Sequence, residues 1–185
     1  MISEVVGQVQ AIAQVYGLQV GASGPLRLAS VVEAITSSVQ RTFGRNIVLE
    51  IEAPDAAAAW ALPEAESIPI ALTINELLTN AIKHGSGEQV QCRLSTPDDE
   101  DAACLQVTMT NLGRLPAGFD LERLRAGISG LGLVRALLPR RSASLTLRQL
   151  QDRVAACVVL RAPSVKRERA GLSTTMPVQG SGVDA

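Results

Sequence analysis

The stretch that most constrains this chain is IPIALTINELLTNAIKHG, which runs from Ile68 to Gly85. Apolar residues recur in it at steps of three and four, the period of an α-helix with one buried face. That face would consist of Ile70, Ile74, Leu77, Leu78, Ala81 and Ile82. The flank 68–74 is so apolar that such a helix must lie mostly inside the fold. The sequence therefore predicts a largely buried helix over 63–84.

Four polar side chains share one side of this helix: Glu76, Asn80, Lys83 and His84. Spacings of three and four residues place them on one stripe, called here the polar stripe. A solvated helix face is the simplest interpretation of such a stripe. Burial argues against it, because buried polar groups need partners and a bound ligand can supply them. A carboxylate and an amide oxygen suit Mg²⁺, and the two basic side chains suit phosphate oxygens.

A glycine-rich segment, GISGLGLVRALLP, begins at Gly127 and leads into a predicted helix over 131–138. Glycines at 127, 130 and 132 allow backbone N–H groups to approach an anion, and the start of a helix favours negative charge. The segment lacks the Gly-Lys-Ser/Thr ending of a P-loop, and no strand leads directly into it as in a dinucleotide-binding fold. By itself it is a weak indication of a phosphate site.

The remaining pattern predicts an α+β fold, a two-layer sandwich with helices on one face of a mixed, largely antiparallel sheet. Besides the two helices above, helices are expected over 1–19 and 26–43, a helical turn over 121–125, and strands over 47–51, 57–62, 89–94, 104–110, 144–150 and 155–160. We divide the chain into an opening helical segment, 1–22, a domain, 23–163, and a polar tail, 164–185, that is expected to be disordered.

Composition excludes several classes of function. A net charge of −1 and 2% aromatic residues give no basic field or stacking surface for nucleic acid. No apolar run reaches the roughly 20 residues of a membrane span, and the start MISEVVGQVQ does not resemble a signal peptide. Three separated cysteines predict reduced thiols packed in strands and a cytoplasmic location. With one histidine and no paired cysteines, a zinc site is not expected.

Two of these segments resemble the motifs of a known family. NELLTNAIKHG resembles the N box of sensor histidine kinases, and SGLGLVRALLP resembles their G2 box. The order of the elements over 26–162 is similar to the ATP-binding domain of the GHKL superfamily, the Bergerat fold. The opening helix, QVQAIAQVYGL at 8–18, resembles the end of the second dimerisation helix of histidine kinases with short ATP lids.

The resemblance implies roles for individual residues and two cofactors, ATP and Mg²⁺. Glu76 would be the general base or would orient the attacking group, and Asn80 would ligate Mg²⁺. Lys83 and His84 would lie against the phosphates. Backbone groups of Gly130, Gly132 and Leu133 would contact the phosphates, and the loop 114–129 would be the ATP lid, whose Arg114, Arg123 and Arg125 would reach phosphate or remain solvated.

The chain departs from the family at the G1 box, where kinases have Asp-x-Gly-x-Gly and an aspartate that accepts the adenine amino group. The matching residues here are Asn111 and Gly113, and the second glycine is replaced by Leu115. Asparagine accepts through its carbonyl oxygen but lacks the charge, which costs about 1–2 kcal/mol of binding free energy.

The resemblance implies a protein histidine kinase that transfers the γ-phosphoryl group of Mg-ATP. Because the single histidine, His84, belongs to the N box, the phosphoacceptor histidine must lie outside this chain. The implied partners are a phosphoacceptor domain and a response regulator. The apolar face at 5–16 could form a homodimer or could pack onto 26–43. Two alternatives remain: a non-catalytic Bergerat-fold module with a degenerate G1 box, and an anti-sigma-factor-type serine kinase, which the NELLTN spelling and the opening helix disfavour.

Overall fold

The computed structural model describes residues 2–21, 24–87, 89–97, 104–123, 127 and 130–168. In chain order its helices and strands are α1 Ile2–Gly21, β1 Leu26–Arg27, α2 Leu28–Phe43, β2 Asn46–Ile51, α3 Pro54–Ala58, β3 Trp60–Leu62, α4 Glu64–His84, β4 Gln89–Ser95, β5 Cys104–Leu112, α5 Gly130–Leu137, β6 Ala143–Leu150, β7 Arg153–Arg161 and β8 Lys166–Arg167. A short 3₁₀ turn, Leu121–Arg123, precedes α5.

The main sheet has the strand order β2-β4-β5-β7-β6 within the described residues. Strands β2 and β4 are parallel because α4 crosses between them, and the other neighbouring pairs are antiparallel. Burial alternates along β4, where Val90, Cys92 and Leu94 face the helices and their neighbours face solvent. The predicted α+β sandwich with a mixed, largely antiparallel sheet is confirmed.

The helix layer is built around α4, which packs against α1, α2 and α5 and against β4 and β5. Its apolar face is buried as the periodicity predicts, with Ile70, Ile74, Leu77 and Leu78 at most 2% exposed. Leu94, Leu105, Met109 and Leu160 of the sheet are equally buried. The central position of α4 explains why almost its whole length is inside the fold, and it carries the polar stripe into the core.

Helix α1 docks on α2 and α4 through a stripe of small residues, Gly7, Ala11 and Val15. Of the apolar face predicted for this helix only Val15 is fully buried. The helix therefore does pack onto the segment 26–43, but through a different face. The residues left exposed include Val5, Val9 and Tyr16, at 55%, 60% and 55%.

The segment 57–62 was expected to be a short strand, and this is wrong in its first half. Pro54 begins α3, where its fixed φ and missing N–H suit the first turn of a helix. Only Trp60–Leu62 is a strand. It pairs with β1, so that α2 begins at Leu28 and not at 26.

The tail was expected to be disordered from residue 164, and this boundary is also wrong. Ser164 and Val165 are fully buried, and the Ser164 hydroxyl lies 2.7 Å from that of Ser142. Strand β8 then pairs with β3, and the Glu168 N–H donates to the Ala59 carbonyl. Residues 169–185 of the expected tail lie outside the described residues.

The three cysteines are free thiols in strands, as predicted: Cys92 in β4, Cys104 in β5 and Cys157 in β7. None of the helices in the described part of the chain is long and apolar enough to cross a bilayer.

Candidate functional site

The polar stripe of α4 runs from the core to the surface. Glu76 is 2% exposed, Asn80 is half-buried, and Lys83 and His84 are exposed. The exposed end lies beside the end of β5, because the Ser86 N–H donates to the Leu112 carbonyl at 2.9 Å.

The buried carboxylate of Glu76 is held from two sides. Its Oε1 accepts a hydrogen bond from Gln8 Nε2 of α1 at 2.9 Å. Its Oε2 accepts from the backbone N–H of Gly130, the first residue of α5, at 3.0 Å. A carboxylate at the start of a helix is favoured by the helix dipole, and the two donors offset the cost of its burial. Glu76 therefore links α1, α4 and α5 through one charged group.

A cavity of about 550 Å³ opens beside this link, between α4, the end of β5, the following loop and the start of α5. Its polar lining comes from Asn80, His84, Asn111 and Arg114, and its glycines are Gly130 and Gly132. A cleft of this size with mainly apolar walls and a few convergent polar groups is typical of a small-molecule site.

The fold brings most of the predicted site residues to this cavity. Asn80, His84, Asn111, Gly130 and Gly132 lie on its wall, and Glu76 reaches it through Gly130. The remaining three predicted residues are not on the wall: Lys83, Gly113 and Leu133.

Asn111 lies near the end of β5 with its side chain almost fully buried. Its Nδ2 donates to the Leu112 carbonyl at 3.0 Å. The amide oxygen, which is the acceptor of the group, therefore points to the opposite side. Glycines surround this amide closely. A Cβ on Gly85 would lie 3.1 Å from Asn111 Nδ2, and a Cβ on Gly113 would lie 3.2 Å from it. Gly113 is therefore not on the cavity wall but packs against the Asn111 amide and leaves room for it.

Comparison with known proteins gives structural neighbours only: no protein-family model matches the chain, and no curated protein matches it. The histidine kinase domain of the blue-light activated histidine kinase EL346 from Erythrobacter litoralis is 23% identical, with a TM-score of 0.67 over 85% of this chain and 74% of that one. A longer EL346 structure is 25% identical, with a TM-score of 0.65 over 84% of this chain and 53% of that one.

The catalytic domain of the histidine kinase ThkA is 14% identical, with a TM-score of 0.56 over 75% of this chain and 94% of that one. ThkA in complex with the response regulator protein TrrA is 14% identical, with a TM-score of 0.53 over 70% of this chain and 38% of that one. This chain has the fold of a histidine kinase catalytic domain. The resemblance drawn from the N box and the G2 box is therefore confirmed at the level of the fold.

The segment that was expected to be a lid, 114–129, follows β5, and its residues 114–123 and 127 are described. Arg114 lines the cavity, Arg123 forms an exposed ion pair with Asp120 at 3.0 Å, and Arg125 lies outside the described residues. Arg135 of α5 donates to the carbonyls of Leu121 and Glu122 at 2.8 and 2.6 Å. The 3₁₀ turn Leu121–Arg123 of this segment is thus anchored to α5.

Gln149 of β6 holds the other end of this segment, and no sequence pattern distinguishes it from other polar strand residues. Its Oε1 accepts from the Leu115 N–H at 2.8 Å, and its Nε2 donates to the Gly113 carbonyl at 3.2 Å. The apolar walls were also not foreseen as part of a site. They are Leu77, Ala81, Leu115, Pro116, Phe119, Leu131, Leu147, Val154 and Ala156.

No group of three or more His, Cys, Asp or Glu side chains that could hold a metal ion occurs in the described residues. The oxygen ligand expected for Mg²⁺ at the cavity is the amide of Asn80, and a single amide ligand is too little for a metal held by protein alone. It does suit Mg²⁺, which keeps several waters and takes further oxygens from phosphates.

Proposed function

We propose that this chain is the ATP-binding catalytic domain of a two-component sensor histidine kinase and transfers the γ-phosphoryl group of Mg-ATP to a histidine outside the chain. The observation that carries the proposal is the single cavity that collects Asn80 and His84 of the N box, Asn111 at the G1 position and the glycines of the G2 box. The fold shared with histidine kinase catalytic domains supports it.

The base would lie on the apolar walls, against Leu147, Val154 and Ala156 of the sheet. Asn111 Nδ2 is engaged by the Leu112 carbonyl, so its amide oxygen is the group left to accept a hydrogen bond from the adenine amino group. This acceptor is neutral, and we expect a weaker bond than a carboxylate would make.

The phosphates would lie at the start of α5, where backbone N–H groups of Gly130, Gly132 and Leu133 and the helix dipole favour an anion. Arg114, on the cavity wall, and Lys83, exposed on α4, would add positive charge, and the His84 imidazole would lie against the phosphates from the same wall.

Asn80 would hold Mg²⁺ through its amide oxygen, and the ion when bound would neutralise charge on the phosphates. Glu76 would orient the attacking group, since its carboxylate adjoins the start of α5. The chain's contribution to phosphoryl transfer would thus be positioning and charge stabilisation.

Calorimetric titration with ADP tests this proposal directly. In the presence of Mg²⁺ the wild-type chain should bind one ADP. Asn80→Ala should weaken binding about tenfold with Mg²⁺ and much less with a chelator, because only the metal-dependent part is lost. Asn46→Ala, at the exposed start of β2, is the matched control. Absence of binding at millimolar nucleotide would contradict the kinase proposal and favour the non-catalytic module.

The partners proposed are a phosphoacceptor domain and a response regulator. ThkA, which shares the fold, has been solved with its response regulator TrrA. Phosphate transfer from labelled ATP to a separately added phosphoacceptor domain, and from there to a regulator, would test both.

We also propose that a second copy of the chain covers the outer face of α1. Val6, Val9, Ala13, Tyr16 and Val20 are exposed and follow one another at steps of three and four, called here the outer stripe. Sustained alternation of these steps is the heptad pattern of helices that pair with helices. Val9→Asp should therefore reduce the sedimentation coefficient to that of a monomer, while Ser37→Asp, exposed on α2, should not. A wild-type chain that is monomeric at high concentration would contradict this proposal.

A further inference from the structure

A chain of two hydrogen bonds connects α1 to the proposed phosphate site. Gln8 Nε2 donates to Glu76 Oε1 at 2.9 Å, and the Gly130 N–H donates to Glu76 Oε2 at 3.0 Å. The carboxylate between them is 2% exposed. Any displacement of α1 that breaks the first bond removes a donor from a buried charge, and a buried charge that loses a donor is strongly driven to reorient.

The docked face of α1 allows this close contact. Gly7 faces α4, and a Cβ on it would already be in van der Waals contact with Asn75 Nδ2, at 3.4 Å, so only a small residue fits there at this helix separation. Further side-chain hydrogen bonds hold the helix, from Gln19 Nε2 to Ser67 Oγ and from Thr42 Oγ1 to Gln10 Oε1, both at 3.1 Å. Four of the large apolar residues of α1, Val6, Val9, Tyr16 and Val20, lie on the outer stripe instead and are exposed. Because this docking buries few large apolar side chains, its opening costs less than the opening of a core helix.

Glu76 and a phosphate group would compete for the same donor. The Gly130 N–H is at the start of α5, where the proposed function places phosphate, and in the structure it is taken by Glu76. A backbone N–H makes one good hydrogen bond at a time, and two negative groups at the same helix start repel each other. Phosphate can therefore take this N–H only if Glu76 moves away from it.

We propose that Gln8 is a positioning residue that makes docked α1 inhibitory. By holding Glu76 in place, Gln8 keeps the carboxylate on the Gly130 amide and weakens the binding of nucleotide phosphates. Release of α1 frees Glu76 to leave the start of α5, and the phosphate site opens. The effect on nucleotide rests on the proposed function, whereas the effect of Gln8 on Gly130 does not.

Amide hydrogen exchange at Gly130 tests the Gln8 link without nucleotide. Gln8→Met keeps an unbranched side chain of similar length but removes the donor, and we expect Gly130 to exchange several-fold faster. Gln19→Met is the matched control, since it removes a hydrogen bond between the same two helices away from Glu76. Amides of β5 should exchange alike in all three proteins. Equal Gly130 exchange in the Gln8→Met and Gln19→Met variants would overturn the proposal.

Affinities for Mg-ADP and adenosine separate this inference from the proposed function. Gln8→Met should bind ADP on the order of tenfold more tightly than wild type and adenosine equally well, because only phosphate competes with Glu76. Gln8→Glu, which puts a second carboxylate against Glu76, should act in the same direction and serves if the first variant folds poorly. Unchanged ADP affinity in a folded Gln8 variant would overturn the inhibition and leave the kinase proposal standing. No ADP binding by any variant or by wild type would instead overturn the proposed function, and Gly130 exchange would still decide the role of Gln8.

Discussion

At the scale of single residues, Asn111 has a structural partner and a proposed ligand on opposite sides of one amide. Replacing it by aspartate removes the Nδ2 donor to the Leu112 carbonyl, and stability should fall by about 1 kcal/mol. The same change adds a charged acceptor for the adenine amino group, and the affinity for ADP should rise by about 1 kcal/mol, or roughly fivefold. Calorimetry and urea unfolding measure the two effects separately.

Guanine nucleotides provide the control for Asn111→Asp, since guanine presents a carbonyl where adenine presents its amino group. GDP affinity should not rise in the variant. An unchanged ADP affinity, or an equal change for both nucleotides, would show that Asn111 does not face adenine.

Cys92 is a residue whose burial should be visible in the pH dependence of stability. Burial in β4 raises the pKa of its thiol from 9.0 to about 11. The folded state therefore keeps a proton that the unfolded state loses, and the stabilisation is fully present below pH 9 and is lost as pH rises towards 11. As the pH rises from 8 to 10.5, the titration of this one group should lower the free energy of unfolding by about 2 kcal/mol.

Urea unfolding of Cys92→Ala at these two pH values should show a smaller alkaline loss than wild type. Each protein is compared with itself at the two pH values. The cost of the volume lost from the core by Cys92→Ala is the same at both values and therefore cancels. Cys157→Ala, a change at a half-buried thiol of β7, should keep the wild-type loss. An equal loss of unfolding free energy between the two pH values in all three proteins would contradict the assignment to Cys92.

At the scale of elements, strong hydrophobic periodicity predicted the helices and strands that bury one face. Helices α2 and α4 and strand β4 each bury a face that repeats at the expected period, and their bounds are within a few residues of the prediction. The run 57–62 has no clear period, so the change from α3 to β3 was not visible. In α1 apolar residues occur on two sides, and composition cannot tell which side meets α4 when glycine and alanine form the contact.

The candidate site was predictable to the extent that it consists of motif residues. Asn80 stands out because polar groups on a buried helix are unusual, and Gly130 stands out only together with it, through the resemblance of its segment to the G2 box. Leu147 and Val154 do not, since a strand residue facing a cavity has the same sequence pattern as one facing the core. Gln149 is an exposed polar residue in a strand, and only its backbone partners distinguish it from an ordinary solvated side chain.

The residue that follows α4, Gly85, and a residue inside α1, Gly17, offer a paired test of what glycine does in each element. A Cβ on Gly85 would overlap the Ala81 carbonyl oxygen, a backbone atom that cannot move without distorting α4. Gly85→Ala should therefore destabilise the domain by about 2 kcal/mol or more. Nothing lies within 4 Å of a Cβ on Gly17, and Gly17→Ala should stabilise by about 0.5–1 kcal/mol.

Urea midpoints of the two variants at constant m-value would measure both changes. A Gly85→Ala variant as stable as wild type would mean that the turn after α4 relaxes freely. In that case the turn would not be what holds His84 beside β5.

At the scale of the whole molecule, a small sheet ties together three segments that are far apart in sequence. Within the described residues its order is β1-β3-β8, so residues near 26, 61 and 166 are neighbours. The pairing of β8 could not be predicted from the polar composition after Pro163. Strand β8 itself is Lys166–Arg167, and a single apolar residue before it, Val165, enters the core. Short edge strands of this kind carry almost no hydrophobic periodicity.

A chain that ends at Pro163 should therefore be markedly less stable than one that ends at Glu168. The shorter chain loses the fully buried Val165 side chain, the pairing of β8 with β3 and the partner of the buried Ser142 hydroxyl. Burial of one valine and one orphaned hydroxyl together amount to about 3 kcal/mol. For a domain of this size the melting temperature should fall by about 10 °C. The chain ending at Glu168 keeps every one of these contacts and is the control. Equal melting of the two truncated chains would mean that 164–168 adds nothing to the fold.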